Sequence, residues 1–238
     1  MKHIRSEFLV RCKEITDYLR MVRFIEQSGA SIVSRDGKQH YPLDLRTRHV
    51  LKASVYLHLY NLVESTVTAC FLRVAREIEH TGVGYSRLID EWQSTLLRSI
   101  GKAGEPLNPE ARLSNLRAVV DRVLSGDPIS FQPILGGGNL DELRIEVLLK
   151  RTGVELVLSP DLKTRVKRHV VDDKGPLSLV KIRRNELAHG LVSFGDCGRD
   201  VTVADLRSWT CTVICYLSRL VTVFTDFVAN RRFERTGT

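Results

Sequence analysis

The segment KIRRNELAHG, residues 181–190, packs a lysine, two arginines, an amide, a carboxylate and a histidine directly ahead of a glycine. These are the side-chain types that phosphodiester chemistry uses. Arg184 offers a planar fork of N–H donors that can grip a phosphate and stabilise the charge developing on it. Histidine is the side chain best suited to exchanging protons near neutral pH, and His189 supplies one as general base or acid. Asn185 lies four residues before His189, on the same helical face, where it can orient the ring or the scissile phosphate. An RNA strand brings its own nucleophile, the 2′-hydroxyl, so an arginine and a histidine suffice without a metal. The reading therefore requires no cofactor.

A helix predicted over 176–190 sorts these residues by face. With about 100° per residue, Ser178, Lys181, Arg184, Asn185, Ala188 and His189 fall in one sector that contains no acid. Leu179, Val180, Ile182 and Leu187 occupy the opposite arc and face a core, although Arg183 and Glu186 interrupt that arc and Leu177 intrudes on the polar one. Arg184 and His189 stand about 140° apart, so one copy makes an open half-site and two copies across a dimer make a closed one. The competing reading is a plain helix end, with His189 satisfying terminal carbonyls. Glu64 bears on the choice. It shares a face of a long upstream helix with Leu57, Tyr60 and Phe71, and a carboxylate on an apolar face needs a partner. Arg184 or Arg183 is the natural candidate; the alternative is that Glu64 reaches solvent or pairs within its own helix.

The surroundings are basic. The 238-residue chain carries a formal net charge of +8, which suits a polyanionic partner but does not establish one. Between residues 161 and 184, Lys163, Arg165, Lys167, Arg168, Lys174, Lys181, Arg183 and Arg184 face only Asp161, Asp172 and Asp173. That stretch reads either as a solvated basic face or as a phosphate-tracking surface leading into the motif. On the second reading Lys167, Arg168, Lys181 and Arg183 are RNA-binding residues.

The elements that must hold these residues are almost all helical. Apolar periodicity predicts helices over roughly 4–27, 46–80, 85–100, 109–125, 139–152, 176–190 and 203–233, with a loop over 28–44 that has room for one short strand. The 46–80 helix is the clearest, with Val55, Leu59, Leu62, Val63, Val67, Cys70, Phe71 and Val74 in period. The last helix carries two interleaved rows, Leu206, Val213, Leu220 and Phe227 beside Thr210, Leu217 and Phe224, which pack into a bundle core or against a second copy. Its apolar run is broken by Arg219 and Asp226, so it reads as a buried helix rather than a membrane span. The N-terminus is charged every few residues and has no signal-peptide run, which points to a cytoplasmic protein. Five cysteines occur without a CxxC motif or a Cys/His cluster, which argues against a metal or disulfide framework. Cys211 and Cys215 are expected in the core. The triple glycine at 136–138 lacks the following Lys-Ser/Thr and a preceding strand, so it is not a phosphate loop. At 43% hydrophobic residues the chain suits a single elaborated domain.

RNELAH, residues 184–189, fits the Arg-x4–6-His motif of the HEPN ribonuclease superfamily, with a polar residue after the arginine. The flanking text is more specific. GGNLDELRIEVLLKRTGVEL, LVKIRRNELAHGLVSFGDCGRDVTVADLRSW and the upstream VYLHLYNLVES resemble the prokaryotic MAE/RiboL-PSP branch of that superfamily. The resemblance covers residues 46–80 and 134–233, leaving 1–45 as an N-terminal helix and loop and 81–133 as a helical insertion. It implies an all-α, HEPN-like helical bundle with additional helices, acting as a homodimer that cuts RNA without metal. It implies Arg184 as the phosphate-binding arginine, Asn185 as the polar motif residue, His189 as the catalytic histidine and Glu64 as a supporting group. Arg183, at x5 spacing, competes with Arg184 for the site. Relatives of this kind are commonly toxins or effectors in toxin–antitoxin and anti-phage systems, which implies an antitoxin partner; others are inactive RNA-binding or protein-interaction modules.

Overall fold

The computed structural model describes residues 2–28, 31–100, 108–125, 130–135 and 139–235. Helix α1 (Lys2–Ser28) buries Ile4, Phe8, Cys12, Ile15, Leu19, Val22 and Ile25, a row at spacings of three and four that makes one face apolar. The following loop holds two strands rather than one. β1 (Ser31–Val33) and β2 (His40–Pro42) pair antiparallel as an exposed hairpin, in the register Ser31↔Pro42. Strands of three residues bury no face of their own, so alternation gave little to read.

Helix α2 (Leu45–Thr81) is the axis of the fold. Asp44 caps its start by accepting from the Thr47 amide at 2.7 Å, and Gly82, at φ +63°, ends it in the left-handed conformation. A short 3₁₀ turn at Tyr85–Arg87 leads to α3 (Asp90–Ile100) and then α4 (Pro109–Ser125). α5 (Glu142–Arg151) begins at the Asp141 cap. α6 (Pro160–Lys167) follows a Ser159 cap, with proline in the first turn. The motif helix is α7 (Pro176–Ala188). A four-residue α8 (Phe194–Cys197) precedes α9 (Val203–Ala229), which opens with a Thr202–Asp205 capping box. The triple glycine at 136–138 lies outside the described residues.

Helices α1, α7, α8 and α9 pack around α2, and α6 packs on α7 and α9. Both rows expected on the last helix are buried within the chain: Leu206, Val213, Leu220 and Phe227 with Thr210, Leu217 and Phe224. They meet α2 through aromatic pairs, Phe71 edge-on to Phe224 at 4.9 Å and Tyr56 with Trp209 at 6.3 Å. α9 is long and apolar enough to cross a membrane by length and composition, but here that apolar surface packs against α2. Cys211 and Cys215 do not join it. Cys211 is exposed and Cys215 half-buried, because each sits about 100° further round the helix than the buried Thr210 and the half-buried Ile214.

Three local features lock the bundle. Lys52 is buried on α2 and donates from Nζ to the Val201 carbonyl at 2.9 Å, with Glu26 of α1 at 3.7 Å. It thereby ties α1 and the approach to α9 to the central helix. Gly198 lies so close to α2 that a Cβ there would stand 1.9 Å from the His49 carbonyl oxygen, which only glycine permits. The C-terminal segment folds back on the 3₁₀ turn: the Ile89 amide donates to the Phe233 carbonyl at 3.0 Å and the Arg235 amide to the Arg87 carbonyl at 2.8 Å, with Phe233 fully buried.

Candidate active site

Helix α7 presents the motif on a rigid base. Leu177, Leu179, Val180 and Leu187 are buried against the bundle, and Ile182 is half-buried. The helix ends in a Schellman arrangement: Leu191 N–H donates to the Glu186 carbonyl at 2.9 Å and Gly190 N–H to the Leu187 carbonyl at 3.3 Å. Gly190 takes φ +67°, which leaves His189 as the cap residue, its own amide bonded to the Asn185 carbonyl. Ala188 and His189 are exposed. The terminal carbonyls are thus satisfied by backbone, and the His189 ring makes no hydrogen bond or ion pair among the described residues.

Two adjacent arginines meet different surroundings. Arg183 points into the interrupted apolar arc, where Nη1 donates to Glu186 Oε2 at 2.9 Å and Nη2 lies 3.9 Å from Asp172 Oδ2. Burial works against its charge, but the Glu186 carboxylate more than offsets that, and the guanidinium holds its proton more tightly than usual. The Arg183–Glu186 pair therefore explains why two charges stand on the core side of α7. Arg184 turns the other way. Its Cζ stacks 4.4 Å over the Tyr60 ring, its Nη1 donates to Asn185 Oδ1 at 2.9 Å, and its Nη2 lies 3.9 Å from Glu64 Oε2. The expected partner of Glu64 is thus Arg184, at the outer limit of an ion pair. Glu64 also keeps substantial solvent access, at 40% side-chain exposure.

Asn185 is engaged differently from the expectation. Its Nδ2 donates to Asn139 Oδ1 at 2.9 Å while its Oδ1 accepts from Arg184, so it orients the arginine and not the His189 ring. Lys181 is held by the Asp141 carboxylate and contributes to anchoring α7 on the start of α5. Lys167 and Arg168, at the end of α6, are exposed and form no ion pair among the described residues. Arg168 lines a depression of about 220 Å³ with His169 and Ser208. Of the four proposed RNA contacts, Lys167 and Arg168 are therefore open, whereas Lys181 and Arg183 already hold carboxylates.

Four residues around the site escaped the sequence reading. Tyr60 is the platform under Arg184; burial pushes its hydroxyl upward, and as a neutral phenol it accepts from the Leu140 amide at 3.3 Å. Asn139 and Asp141 brace Asn185 and Lys181 from outside the motif. Glu142, next along α5, is a half-buried carboxyl raised above the usual carboxylate range by burial, with Asp141 adding to the shift. Tyr60 lies four residues before Glu64 on the same face, a signal that was available. Asn139 and Asp141 had only the helix-start pattern NLDEL.

A long α2 bearing Glu64, a short α7 bearing the arginine–histidine motif and an apolar terminal α9 form one arrangement. The MAE_28990-like HEPN model matches residues 1–233. The chain belongs to this HEPN family. The match takes in residues 1–45 and 81–133 of the HEPN chain, beyond the stretches that carry the resemblance in the sequence. No curated protein and no solved structure matches the HEPN chain.

Proposed function

We propose that the protein is a metal-independent endoribonuclease whose working unit is a homodimer. The observation that carries this is the state of Arg184. Its guanidinium lies over an aromatic face and donates to an amide oxygen, while the nearest carboxylate, Glu64, stands at 3.9 Å, beyond hydrogen-bond distance, where Arg183 has Glu186 at 2.9 Å. An arginine with a purely structural task would be closed on its partner, as Arg183 is on Glu186. Arg184 is instead positioned with donor capacity to spare for a phosphate.

In this mechanism the 2′-hydroxyl of RNA attacks the adjacent phosphate. His189 accepts the hydroxyl proton or returns one to the leaving 5′-oxygen, and Arg184 stabilises the phosphorane-like state. The O2′–P bond forms and the P–O5′ bond breaks, leaving a 2′,3′-cyclic phosphate and a 5′-hydroxyl. Asn185 and Tyr60 keep Arg184 in place, Glu64 limits its swing, and Lys167 with Arg168 track the strand. An exposed His189 with no orienting partner among the described residues is what a half-site in need of a second copy would have. The biological role that fits is the toxin or effector of a toxin–antitoxin or anti-phage system, restrained by a cognate antitoxin in the cytoplasm.

The same exposed, unoriented His189 also favours a second reading, an inactive HEPN module that binds RNA or a protein without cutting. Incubation with total RNA in EDTA separates the two. Cleavage by the wild-type chain, lost in both Arg184→Ala and His189→Ala, is the expected result. Cleavage that persists in both variants rules out this mechanism. Binding that falls steeply with salt, without any cleavage, identifies the inactive module.

A further inference from the structure

We propose that the groove between α1 and α9, away from the Arg184 cluster, binds a nucleoside phosphate, either free or as one residue of an RNA strand. The groove encloses about 400 Å³, a volume in the range of small-ligand sites. Arg20 and Arg23 come to it from α1 and Arg207 from α9, while Leu19 and Ile214 supply apolar walls. Arg20 pairs at 3.0 Å with Asp17, but its side chain is 75% exposed and free to turn. Arg23 and Arg207 have no carboxylate partner among the described residues. Cations above apolar walls suit a ligand that joins a phosphate to a flat, weakly polar base.

The second observation is Thr210, which lines the same groove. The residue is 4% exposed, and its hydroxyl oxygen is buried without a hydrogen-bond partner. Three other threonines of α9 avoid that state by donating to the carbonyl four residues earlier: Thr212 to Ser208 at 3.1 Å, Thr222 to Ser218 at 3.0 Å and Thr225 to Val221 at 2.6 Å. Thr210 departs from this pattern in the groove that Arg20, Arg23 and Arg207 line. The hydroxyl oxygen is covered as it stands; threonine has two accessible rotamers in a helix, and the proposal requires the turn about Cα–Cβ that would let it donate to a bound phosphate.

Cys211 gives a local readout, because it lines the groove and is exposed while Cys12 and Cys70 are buried. The alkylation rate of Cys211 in the full chain is measured by mass spectrometry with AMP, inorganic phosphate, adenosine or a short RNA oligonucleotide present. Protection by AMP identifies a free-nucleotide site, and protection by the oligonucleotide alone identifies a strand site. No protection at millimolar concentration by either, or equal protection by adenosine, overturns the proposal. Thr210→Val is expected to weaken the protecting ligand about tenfold, the effect of one hydrogen bond to a charged group, with an unchanged or higher melting temperature. Arg23→Glu with Arg207→Glu, both exposed, is expected to abolish protection; retained protection overturns the assignment. The RNA arm is repeated in His189→Ala, where the ribonuclease reading expects the oligonucleotide to stay intact, and AMP protection in a wild-type chain that never cuts RNA leaves this proposal standing and contradicts only the ribonuclease reading.

Discussion

Replacing each of the two neighbouring arginines in turn separates the site from its scaffold. Arg183 and Glu186 are 26% and 27% exposed and 2.9 Å apart, a geometry between a surface pair and a buried one. Removing Arg183 forfeits that pair and leaves Glu186 half-buried and alone, at a cost of about 1–2 kcal/mol. For a chain of this size that lowers the melting temperature by about 3–6 °C. Removing Arg184 forfeits the contact with Tyr60, worth about 1 kcal/mol at a half-buried site, and little from Glu64 at 3.9 Å. The two variants therefore unfold at similar temperatures and differ in chemistry. Arg184→Ala should lower single-turnover RNA cleavage about 10²- to 10³-fold, as for loss of a charge-stabilising donor, whereas Arg183→Ala should stay within a few-fold of wild type. Thermal melts and single-turnover assays on the same preparations check this. A folded Arg183→Ala that has lost cleavage beside an active Arg184→Ala would refute the assignment. So would a double-mutant cycle with Glu186→Ala that gives no coupling energy.

The remaining predictions concern the supports. Glu142 has a raised folded-state affinity for its proton, so its contribution to stability is present at acidic pH and lost as pH rises through the folded value. Glu142→Gln should accordingly melt higher than wild type at neutral pH, with the difference closing on acidification, and melts across pH 4–8 would show a constant offset if the cause is wrong. Gly198→Ala drives a Cβ to 1.9 Å from a backbone oxygen, which should cost about 3 kcal/mol or more; denaturant titration with no shift in midpoint would contradict the packing of α8 on α2. Gly190→Ala meets open space but a positive φ, so about 1–2 kcal/mol of strain should appear with cleavage largely retained. Tyr60→Leu should weaken RNA cleavage about fivefold through a less ordered Arg184, and unchanged kinetics would remove Tyr60 from the site.

The parts of the molecule that were legible in the sequence are those whose information is local and periodic. α2, α7 and α9 declared themselves because long apolar rows repeat at helical spacing, and their buried faces follow those rows. α6 and α8 did not, because helices of eight and four residues are too short for periodicity and depend on the Ser159 and Ser193 caps. Cys211 and Cys215 were misplaced because a helix with apolar residues on most of its faces does not reveal which row lacks cover. In the site, Arg184, Asn185 and His189 were visible as a one-sided cluster on a wheel. The allocation of partners was not. Asn139 is 46 residues from Asn185 and Asp141 is 40 from Lys181, and no spacing rule within α7 reports which arginine faces Tyr60 and which faces Glu186.

The central claim is that the 2′-hydroxyl of RNA is the nucleophile and that Arg184 and His189 act on its attack. The most direct measurement is mass analysis of the products from a defined RNA oligonucleotide, beside the same oligonucleotide carrying one 2′-deoxy residue at the cut position. The account predicts a 2′,3′-cyclic phosphate and a 5′-hydroxyl from the all-RNA strand, and no cleavage at the deoxy position. A 5′-phosphate product, or equal cleavage of the deoxy-substituted strand, would contradict it.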